Sequence, residues 1–307
     1  MNAPRRPPRQ VVDGVLLLDK PLGLTSNSAL QKARRLYNAA KAGHTGTLDP
    51  LATGLLPLCF GEATKFAGEL LDADKAYAAT IRLGVTTDTA DAEGRVLNTR
   101  PVDVTPQQLA AVLLRFNGEI MQVPPMHSAL KRDGKPLYEY ARQGIELALE
   151  PRRVTIHAIR VHDFSGDQVS LSVDCSKGTY IRTLAEDIGA ALGCGAHLAA
   201  LRRTRIGRLT LEQSVTLPEL EAGTAEQRTD LLLPADALLD ALPRADLSAS
   251  DVVRLGHGQA VRWNGLVGRW RAYGSGAFLG LCELGADGWL YPRRLIASAS
   301  ENTAANA

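Results

Sequence analysis

Residues 43–54, GHTGTLDPLATG, decide how the rest of the chain is interpreted. The glycines allow tight backbone turns, and Pro50 restricts the preceding Asp49 to an extended conformation. The Asp49 carboxylate is therefore expected on a stiff loop, which suits a nucleophile or base that must be held in place. The alternative is a plain turn in which Asp49 caps a helix.

Several enzyme classes do not fit the chain. An aspartyl-phosphate phosphotransferase has a second Asp two residues after the nucleophile, and Leu51 occupies that position. Lys135 follows a glycine but precedes Pro136 instead of Ser or Thr, so it does not form a nucleotide-binding loop. The six histidines are scattered, which predicts no metal site. The four cysteines form no CxxC pair, and we expect reduced thiols and a cytoplasmic protein.

The composition is typical of a globular protein. The chain has 307 residues, of which 45% are hydrophobic and 22% charged, with a formal net charge of +2. This length favours one large domain and a small one. The longest apolar run, at about residues 55–60, contains Pro57, whereas a membrane span needs about 20 apolar residues. We therefore expect no membrane contact and no signal peptide.

Basic residues are clustered along the chain. Residues 1–10 form a proline-spaced arm without acids, which we expect to be mobile. A second acid-free cluster occupies residues 202–208, and residues 244–294 hold seven arginines against four acids. Each cluster could be a solvated surface, but three together indicate a polyanionic partner.

Periodicity and turn residues predict the main elements. These are strands at 14–19 and 77–83, a helix capped by Ser26 or Asn27, a helix from Thr105 to about Phe116, and a hairpin of 154–164 with 169–175. From about residue 247, dense glycines and three tryptophans predict a small β-barrel or sandwich.

The segment after the predicted hairpin brings polar side chains towards a cleft. Thr183 and Glu186 have capping-box spacing, which predicts a helix that begins near Thr183. In the extended chain before it, Tyr180 and Arg182 point to one side and Ile181 to the other. One side is core, and the other carries a phenol and a guanidinium.

Four motifs in consistent order resemble the TruB family of tRNA pseudouridine synthases. They are residues 14–21 (GVLLLDKP), 43–54, 124–144 (PPMHSALKRDGKPLYEYARQG) and 176–182 (SKGTYIR), and the likeness covers roughly residues 10–215. The resemblance implies isomerisation of uridine 55 in the T arm of tRNA to pseudouridine, with no metal or organic cofactor. It also implies an α+β fold, the pseudouridine synthase fold with a mixed central β-sheet, followed by a small C-terminal PUA-like β-barrel domain.

The expected domains follow from this resemblance and from the composition. Residues 11–245 would form the catalytic domain, with an RNA-gripping insertion at about 124–152, and residues 246–300 a PUA-like RNA-binding domain. The arm at 1–10 and the tail at 301–307 would flank them. We expect the C-terminal domain to add affinity for tRNA without being required for isomerisation.

By resemblance, Asp49 is the catalytic aspartate. Arg182 is the natural bidentate partner that keeps this carboxylate ionised and aimed. The family places Tyr77 against the flipped uracil, with Tyr180 and Leu201 at further positions of the pocket. Whether Asp49 attacks C1′ or C6, or abstracts a ribose proton, remains open.

Further residues are expected to bind the RNA. The family's histidine at the position of His44 fills the place left by the extruded nucleotide, and Lys20 would contact phosphate or hold the catalytic loop. Basic and aromatic residues alternate in the insertion, which suits gripping of phosphates and exposed bases. The predicted phosphate contacts are Lys131, Arg132, Arg202 and Arg203.

Two rival functions remain. One is a tRNA-binding folding helper without essential catalysis, and the other is the same chemistry on another RNA stem-loop or on snoRNA-guided ribosomal sites. Retention of Asp49, Tyr77 and Arg182 favours an active enzyme, because RNA binding alone needs none of the three. We expect tRNA as the partner, no protein partner, and a monomer.

Overall fold

A computed structural model describes residues 8–128, 130–145 and 147–296. Most of the predicted arm at 1–10 and all of the tail at 301–307 lie outside the described residues. None of the helices in the described ranges is long and apolar enough to cross a membrane.

A large mixed β-sheet forms the centre of the molecule. In chain order, the strands before residue 217 are β1 (Gly14–Lys20), β2 (Ala42–His44), β3 (Ala52–Phe60), β4 (Lys75–Leu83), β5 (Val85–Thr87), β6 (Val96–Thr99), β7 (Gly118–Gln122), β8 (Lys131–Arg132), β9 (Lys135–Pro136), β10 (Arg152–Ser165), β11 (Gln168–Cys175), β12 (Ala196–Ile206), β13 (Leu209–Thr210) and β14 (Val215–Thr216). The sheet has the order β14-β1-β3-β12-β4-β11-β10-β7, with β2 on β3 and β13 on β12. β5 pairs with β6 and β8 with β9 as separate hairpins.

The helices connect and cover these strands. They are α1 (Ser26–Leu36), α2 (Pro106–Leu114), α3 (Leu137–Arg142), α4 (Ile181–Ala191), α5 (Leu217–Ala222), α6 (Ala225–Asp230) and α7 (Ala249–Gly256), with 3₁₀ segments at Gly61–Leu70, Leu211–Gln213 and Ala235–Leu239. The predicted α2 is confirmed with Thr105 as its N-cap, and the predicted hairpin is confirmed as β10 and β11. The cap of α1 is Thr25, so the predicted cap at Ser26 or Asn27 is wrong.

The start of α4 differs from the prediction. The helix begins at Ile181 with Tyr180 as its N-cap, so the predicted start near Thr183 is wrong. The side chain of Gln122 explains the difference, since its amide accepts a bond from the Tyr180 backbone N–H (2.8 Å) and donates one to the Tyr180 carbonyl (3.0 Å). This contact from β7 fixes Tyr180 at the cap, and Arg182 therefore lies in the first helical turn.

Alternate residues of β1 enter two different cores. Leu16 and Leu18 lie in a cluster with residues of α1, α2 and α4, whereas Val15 and Leu17 lie in a second cluster. The alternation follows from the two-residue period of a strand, since successive side chains point to opposite faces of the sheet. The sheet is therefore covered on one face by helices and, at its β1–β3 end, on the other face by 3₁₀ segments.

The C-terminal strands form a separate, curled five-stranded sheet. They are β15 (Arg244–Leu247), β16 (Val261–Arg262), β17 (Gly268–Gly274), β18 (Ala277–Leu284) and β19 (Trp289–Leu295), in the order β15-β17-β18-β19-β16. This half-barrel and the mixed central sheet confirm the predicted α+β fold class.

Candidate active site

The loop between β2 and β3 holds Asp49 just before the start of β3, an interior strand of the central sheet. The Ser26 hydroxyl donates to the Leu48 carbonyl (3.0 Å) and accepts from the Leu48 N–H (2.8 Å), which ties the loop to the start of α1. Gly46 has φ +79°, a conformation that glycine adopts without strain. The Asp49 side chain is 42% exposed, and β3 rather than a helix follows it. The alternative of a helix-capping Asp49 is therefore wrong.

Arg182 connects Asp49 with a second carboxylate. Its Nη2 lies 3.1 Å from Oδ2 of Asp49 and donates to the His127 carbonyl at 2.7 Å. Its Nη1 lies 3.4 Å from Oδ2 of Asp91. The predicted pairing of Arg182 with Asp49 is thus present in the structure, but as a bridge between two carboxylates instead of a bidentate pair.

Asp91 was not predicted from the sequence. It lies in the turn between β5 and β6, and only 2% of it is exposed. Its local sequence, TADAEG, is that of an ordinary turn, and its partner Arg182 is 91 residues away along the chain. Local patterns therefore gave no signal for it.

Burial sets the ionisation of the charged groups around the loop. Desolvation raises the pKa of Asp49 above its ordinary value, and the nearby Arg182 opposes that shift. Burial lowers the pKa of Lys20 to about 8, against the attraction of Asp49. The site thus contains several charges that are poorly hydrated and depend on one another.

Arg203 supports the loop that carries Asp49 from the interior. Only 1% of it is exposed, and its Nε donates to the Leu55 carbonyl at 2.8 Å. Its two terminal nitrogens reach the carbonyls of Gly46 (3.4 Å) and Thr47 (3.5 Å). A Cβ on Gly54, which has φ +98°, would lie 2.3 Å from the Arg203 carbonyl, so this close approach of β3 and β12 requires glycine.

Three further residues of the predicted pocket, Tyr77, Leu201 and His44, lie on β4, β12 and β2. Tyr77 lies opposite Arg203 in the β4–β12 register and is buried, and this burial raises the pKa of its phenol while the Arg203 charge opposes the shift. Leu201 precedes them on β12 and packs against the same core. His44 is half-buried, with an Nδ1 atom that has no hydrogen-bond partner among the described residues. Burial, and secondarily Arg203, lowers the pKa of His44, which keeps the ring neutral at pH 7.

Three family models match successive parts of the chain. The description "TruB family pseudouridylate synthase (N terminal domain)" matches residues 34–181, and "tRNA pseudouridylate synthase B C-terminal domain" matches residues 182–240. "Pseudouridine synthase II TruB, C-terminal" matches residues 243–296. A tRNA pseudouridine synthase B of Dechloromonas aromatica is 62% identical over 286 residues, which are 93% of this chain and 96% of that one. The chain belongs to the TruB family.

Other similar proteins agree with the TruB assignment. A tRNA pseudouridine synthase B of Aromatoleum aromaticum is 59% identical over 94% of each chain. A chain in the crystal structure of a Cbf5-Nop10-Gar1 complex is 30% identical with a TM-score of 0.70, covering 89% of this chain and 78% of that one. A chain in the structure of an H/ACA RNP bound to a substrate RNA containing 2′-deoxyuridine is 25% identical with a TM-score of 0.71, covering 93% and 85%. The family and fold predicted from the motifs are confirmed.

Two predicted phosphate contacts in this TruB chain are corrected by burial. Arg203 lies in the interior, so it cannot meet a phosphate there, and the prediction is wrong for this residue. Lys20 is fully buried, so the predicted phosphate contact is wrong for it too. Its ammonium donates to the carbonyls of Pro21 (2.9 Å) and Leu24 (2.6 Å), in the connection from β1 to α1, and its role in holding the Asp49 loop stays a prediction.

The other predicted RNA contacts of the TruB chain lie nearer its surface. Arg202 is partly exposed and forms an ion pair with Asp19 at 2.6 Å. Lys131 and Arg132 are exposed in the β8–β9 hairpin. Tyr180 is half-buried at the cap of α4, and burial raises the pKa of its phenol.

Proposed function

We propose that the chain isomerises uridine 55 in the T arm of tRNA to pseudouridine, with Asp49 as the catalytic carboxylate. The reaction breaks the bond from N1 of uracil to C1′ of ribose, rotates the base and joins C5 to C1′. The proton on C5 is released and N1 gains one, so no atom of the nucleoside is otherwise gained or lost. A base inside a stacked helix cannot undergo this rotation, so the uridine must flip out.

The arrangement of Asp49 and Arg182 supports this proposal most strongly. The carboxylate lies on a loop that Ser26 and Arg203 bind through the Leu48 and Gly46 backbone, and a guanidinium lies 3.1 Å away, yet part of it faces solvent where a flipped nucleoside could enter. Attack at C1′, attack at C6 and abstraction of a ribose proton all require an ionised carboxylate in such a place. Arg182 favours ionisation against the desolvation that raises the Asp49 pKa.

Roles for the other pocket residues follow from the same proposal. The Tyr77 ring would lie against the flipped uracil, with Tyr180 and Leu201 at the wall of the pocket. The neutral ring of His44 would stack in the place that the base has left. A neutral aromatic ring suits this role, since it replaces the stacking that flipping breaks.

RNA recognition is assigned to the exposed basic residues and the partly buried tyrosines of the insertion at 124–152. Lys131 and Arg132 lie on its hairpin, and the Arg142 guanidinium lies 5.2 Å from the Tyr138 ring centroid. We also propose residues 11–245 as the catalytic domain and 246–300 as an RNA-binding domain. Action in the cytoplasm, as a monomer without a protein partner, stays a prediction.

The test uses an unmodified tRNA transcript and the purified full chain. Pseudouridine should form at position 55 alone, as mapped on the product RNA, and no product should form on a transcript with cytidine at that position. A folded protein that binds tRNA but forms no pseudouridine would contradict the proposal and favour a folding helper. Product at another position would keep the chemistry and overturn the target.

A further inference from the structure

The carboxylate of Asp91 is held by its own turn as well as by Arg182. The Thr89 hydroxyl donates to its Oδ1 at 2.6 Å, and the backbone N–H of Glu93 donates to the same oxygen at 3.1 Å. The other oxygen, Oδ2, faces Arg182 at 3.4 Å. The two oxygens therefore have separate tasks: one is fixed by the turn and the other pairs with the guanidinium.

Thr89 also contacts Arg182 through its backbone. Its carbonyl lies 3.4 Å from Nη1, the nitrogen that faces Asp91. Thr89 thus orients the Asp91 carboxylate with its hydroxyl, and its own backbone carbonyl is a second acceptor for Arg182. Both contacts act on the guanidinium nitrogen that does not face Asp49.

The turn is built to keep the Thr89 hydroxyl in this position. Ala90 has φ +59°, a left-handed conformation that non-glycine residues seldom adopt. The turn is anchored to β12, because the Ala92 N–H donates to the Leu198 carbonyl and the Leu198 N–H to the Ala90 carbonyl, both at 3.0 Å. A Cβ on Gly94 would lie 2.3 Å from the Thr89 hydroxyl oxygen, so a residue without a side chain is needed there.

We propose that Thr89 is a positioning residue, whose hydroxyl fixes the Asp91 carboxylate so that Arg182 is held in the orientation that aims Asp49. The inference rests on the proposed function of Asp49. Without the hydroxyl, Oδ1 of Asp91 keeps the Glu93 N–H, and the carboxylate can rotate away from Arg182. Small displacements of an aimed group lower the rate of the chemical step more than they lower binding.

The first experiment replaces Thr89 with valine, which keeps the shape and removes the hydroxyl. We expect the single-turnover rate of pseudouridine formation at saturating tRNA to fall about tenfold or more, with the tRNA Kd changed less than about twofold. Thr89→Ser, which keeps the hydroxyl, should restore most of the rate. Thr86→Val on β5 is the matched control, since that hydroxyl is not among the partners of Asp91 in the described residues. It should leave the rate unchanged.

A double-mutant cycle tests whether Thr89 acts through Asp91. In an Asp91→Asn background, Thr89→Val should change the rate by less than about twofold, because the group that it positions is already altered. If the valine variant does not fold, Thr89→Ala takes its place in the cycle, and thermal unfolding identifies the folded variants.

The outcomes separate the two proposals. A wild-type rate in Thr89→Val, equal losses in the Val and Ser variants, or additive losses with Asp91→Asn would each overturn the role of Thr89. Absence of pseudouridine formation by the wild-type chain would instead overturn the proposed function.

Discussion

The Nη2 atom of Arg182 lies 3.1 Å from Oδ2 of Asp49, and this ion pair uses only one side of the guanidinium. The other side faces Asp91 at 3.4 Å. A single cation thus pairs with a partly exposed carboxylate and with a buried one. Its orientation towards Asp49 therefore depends on residues that no substrate needs to touch.

Replacement of Asp49 by asparagine should abolish pseudouridine formation and change the tRNA Kd by less than about tenfold, or ~1.4 kcal/mol. The amide keeps the size of the carboxylate but has neither its charge nor its nucleophilicity. Single-turnover assays and binding curves measure the two effects. Turnover by this variant, free of wild-type contamination, would remove Asp49 from the catalytic role.

The same variant should be at least as stable as the wild type at pH 7. Because desolvation raises the Asp49 pKa in the folded state, its protonated form stabilises the protein below its ordinary pKa, and that contribution is lost as the pH rises through the folded value. The ionised form thus opposes folding at neutral pH, and asparagine removes that effect. A clearly lower Tm of Asp49→Asn at pH 7 would contradict the prediction that the ionised Asp49 opposes folding.

Arg182→Lys should lower the single-turnover rate by about a hundredfold or more although the charge is kept. The planar guanidinium contacts Asp49, Asp91 and the His127 carbonyl through two separate nitrogens. A lysine ammonium has a single nitrogen and cannot make these three contacts in the same geometry. The folded state is checked by thermal unfolding, because Arg182 is also a buried ion-pair partner. A near-normal rate in the folded variant would show that Arg182 does not orient Asp49.

The acidic limb of the pH–rate profile should lie above the range of an ordinary aspartate. Burial raises the Asp49 pKa, and the reaction needs the ionised form, so the rate should fall as the pH drops through that raised value. Single-turnover rates at saturating tRNA, with binding measured at each pH, isolate this limb. A rate that stays constant down to the ordinary aspartate pKa would contradict the assignment.

The features that could be predicted from the sequence are those set by residues close together along the chain. The non-helical loop at Asp49 follows from its glycines and Pro50, and the β10–β11 hairpin from β-branched runs around a turn. Arg182 was placed in the cleft by an argument from extended chain, whereas the residue in fact lies in a helix. The contact of Gln122 with Tyr180 decides that point, and it joins residues 58 apart along the chain.

The buried charged residues Arg203 and Asp91 were not recognised from local sequence patterns. Arg202 and Arg203 look like one basic cluster, but successive residues of a strand point to opposite faces. Arg202 forms an ion pair with Asp19 near the surface, and Arg203 lies in the interior against the Asp49 loop. The alternation of β12 was a signal that could have separated them, whereas Asp91 offered none.

Neutralisation of the β8–β9 hairpin should weaken RNA binding without slowing the chemical step. In Lys131→Gln/Arg132→Gln, each lost phosphate contact should lower the slope of log Kd against log salt by roughly 0.7 to 0.9. Arg82→Gln is a suitable control, because this half-exposed arginine already pairs with Asp167 at 3.1 Å. An unchanged slope in the hairpin variant would mean that these charges are only solvated and that the RNA path lies elsewhere.

The C-terminal sheet is expected to support the stability of the whole chain as well as binding RNA. Phe278 and Leu281 of β18 share a core with Phe66 of the central region, so truncation after about Pro243 would expose that core. The expectation that this truncation spares isomerisation is therefore difficult to test by deletion. A point substitution where the C-terminal sheet contacts the central region measures the contribution of that contact to stability without exposing the shared core.

Tyr273→Phe is that substitution. The Tyr273 hydroxyl donates to Asp236, which also pairs with Arg271 at 3.2 Å, and burial raises the pKa of Tyr273 to about 12. Loss of this bond leaves a buried acceptor short of a donor, so the free energy of unfolding should fall by about 1 to 3 kcal/mol. Tyr291→Phe is the matched control, because its bond to Asp287 lies at the surface, and it should cost less than about 0.5 kcal/mol. Urea unfolding measures both, and single-turnover rates at saturating tRNA should match the wild type in each. Equal losses of stability in the two variants would show that the junction with Asp236 contributes no more than a surface hydrogen bond.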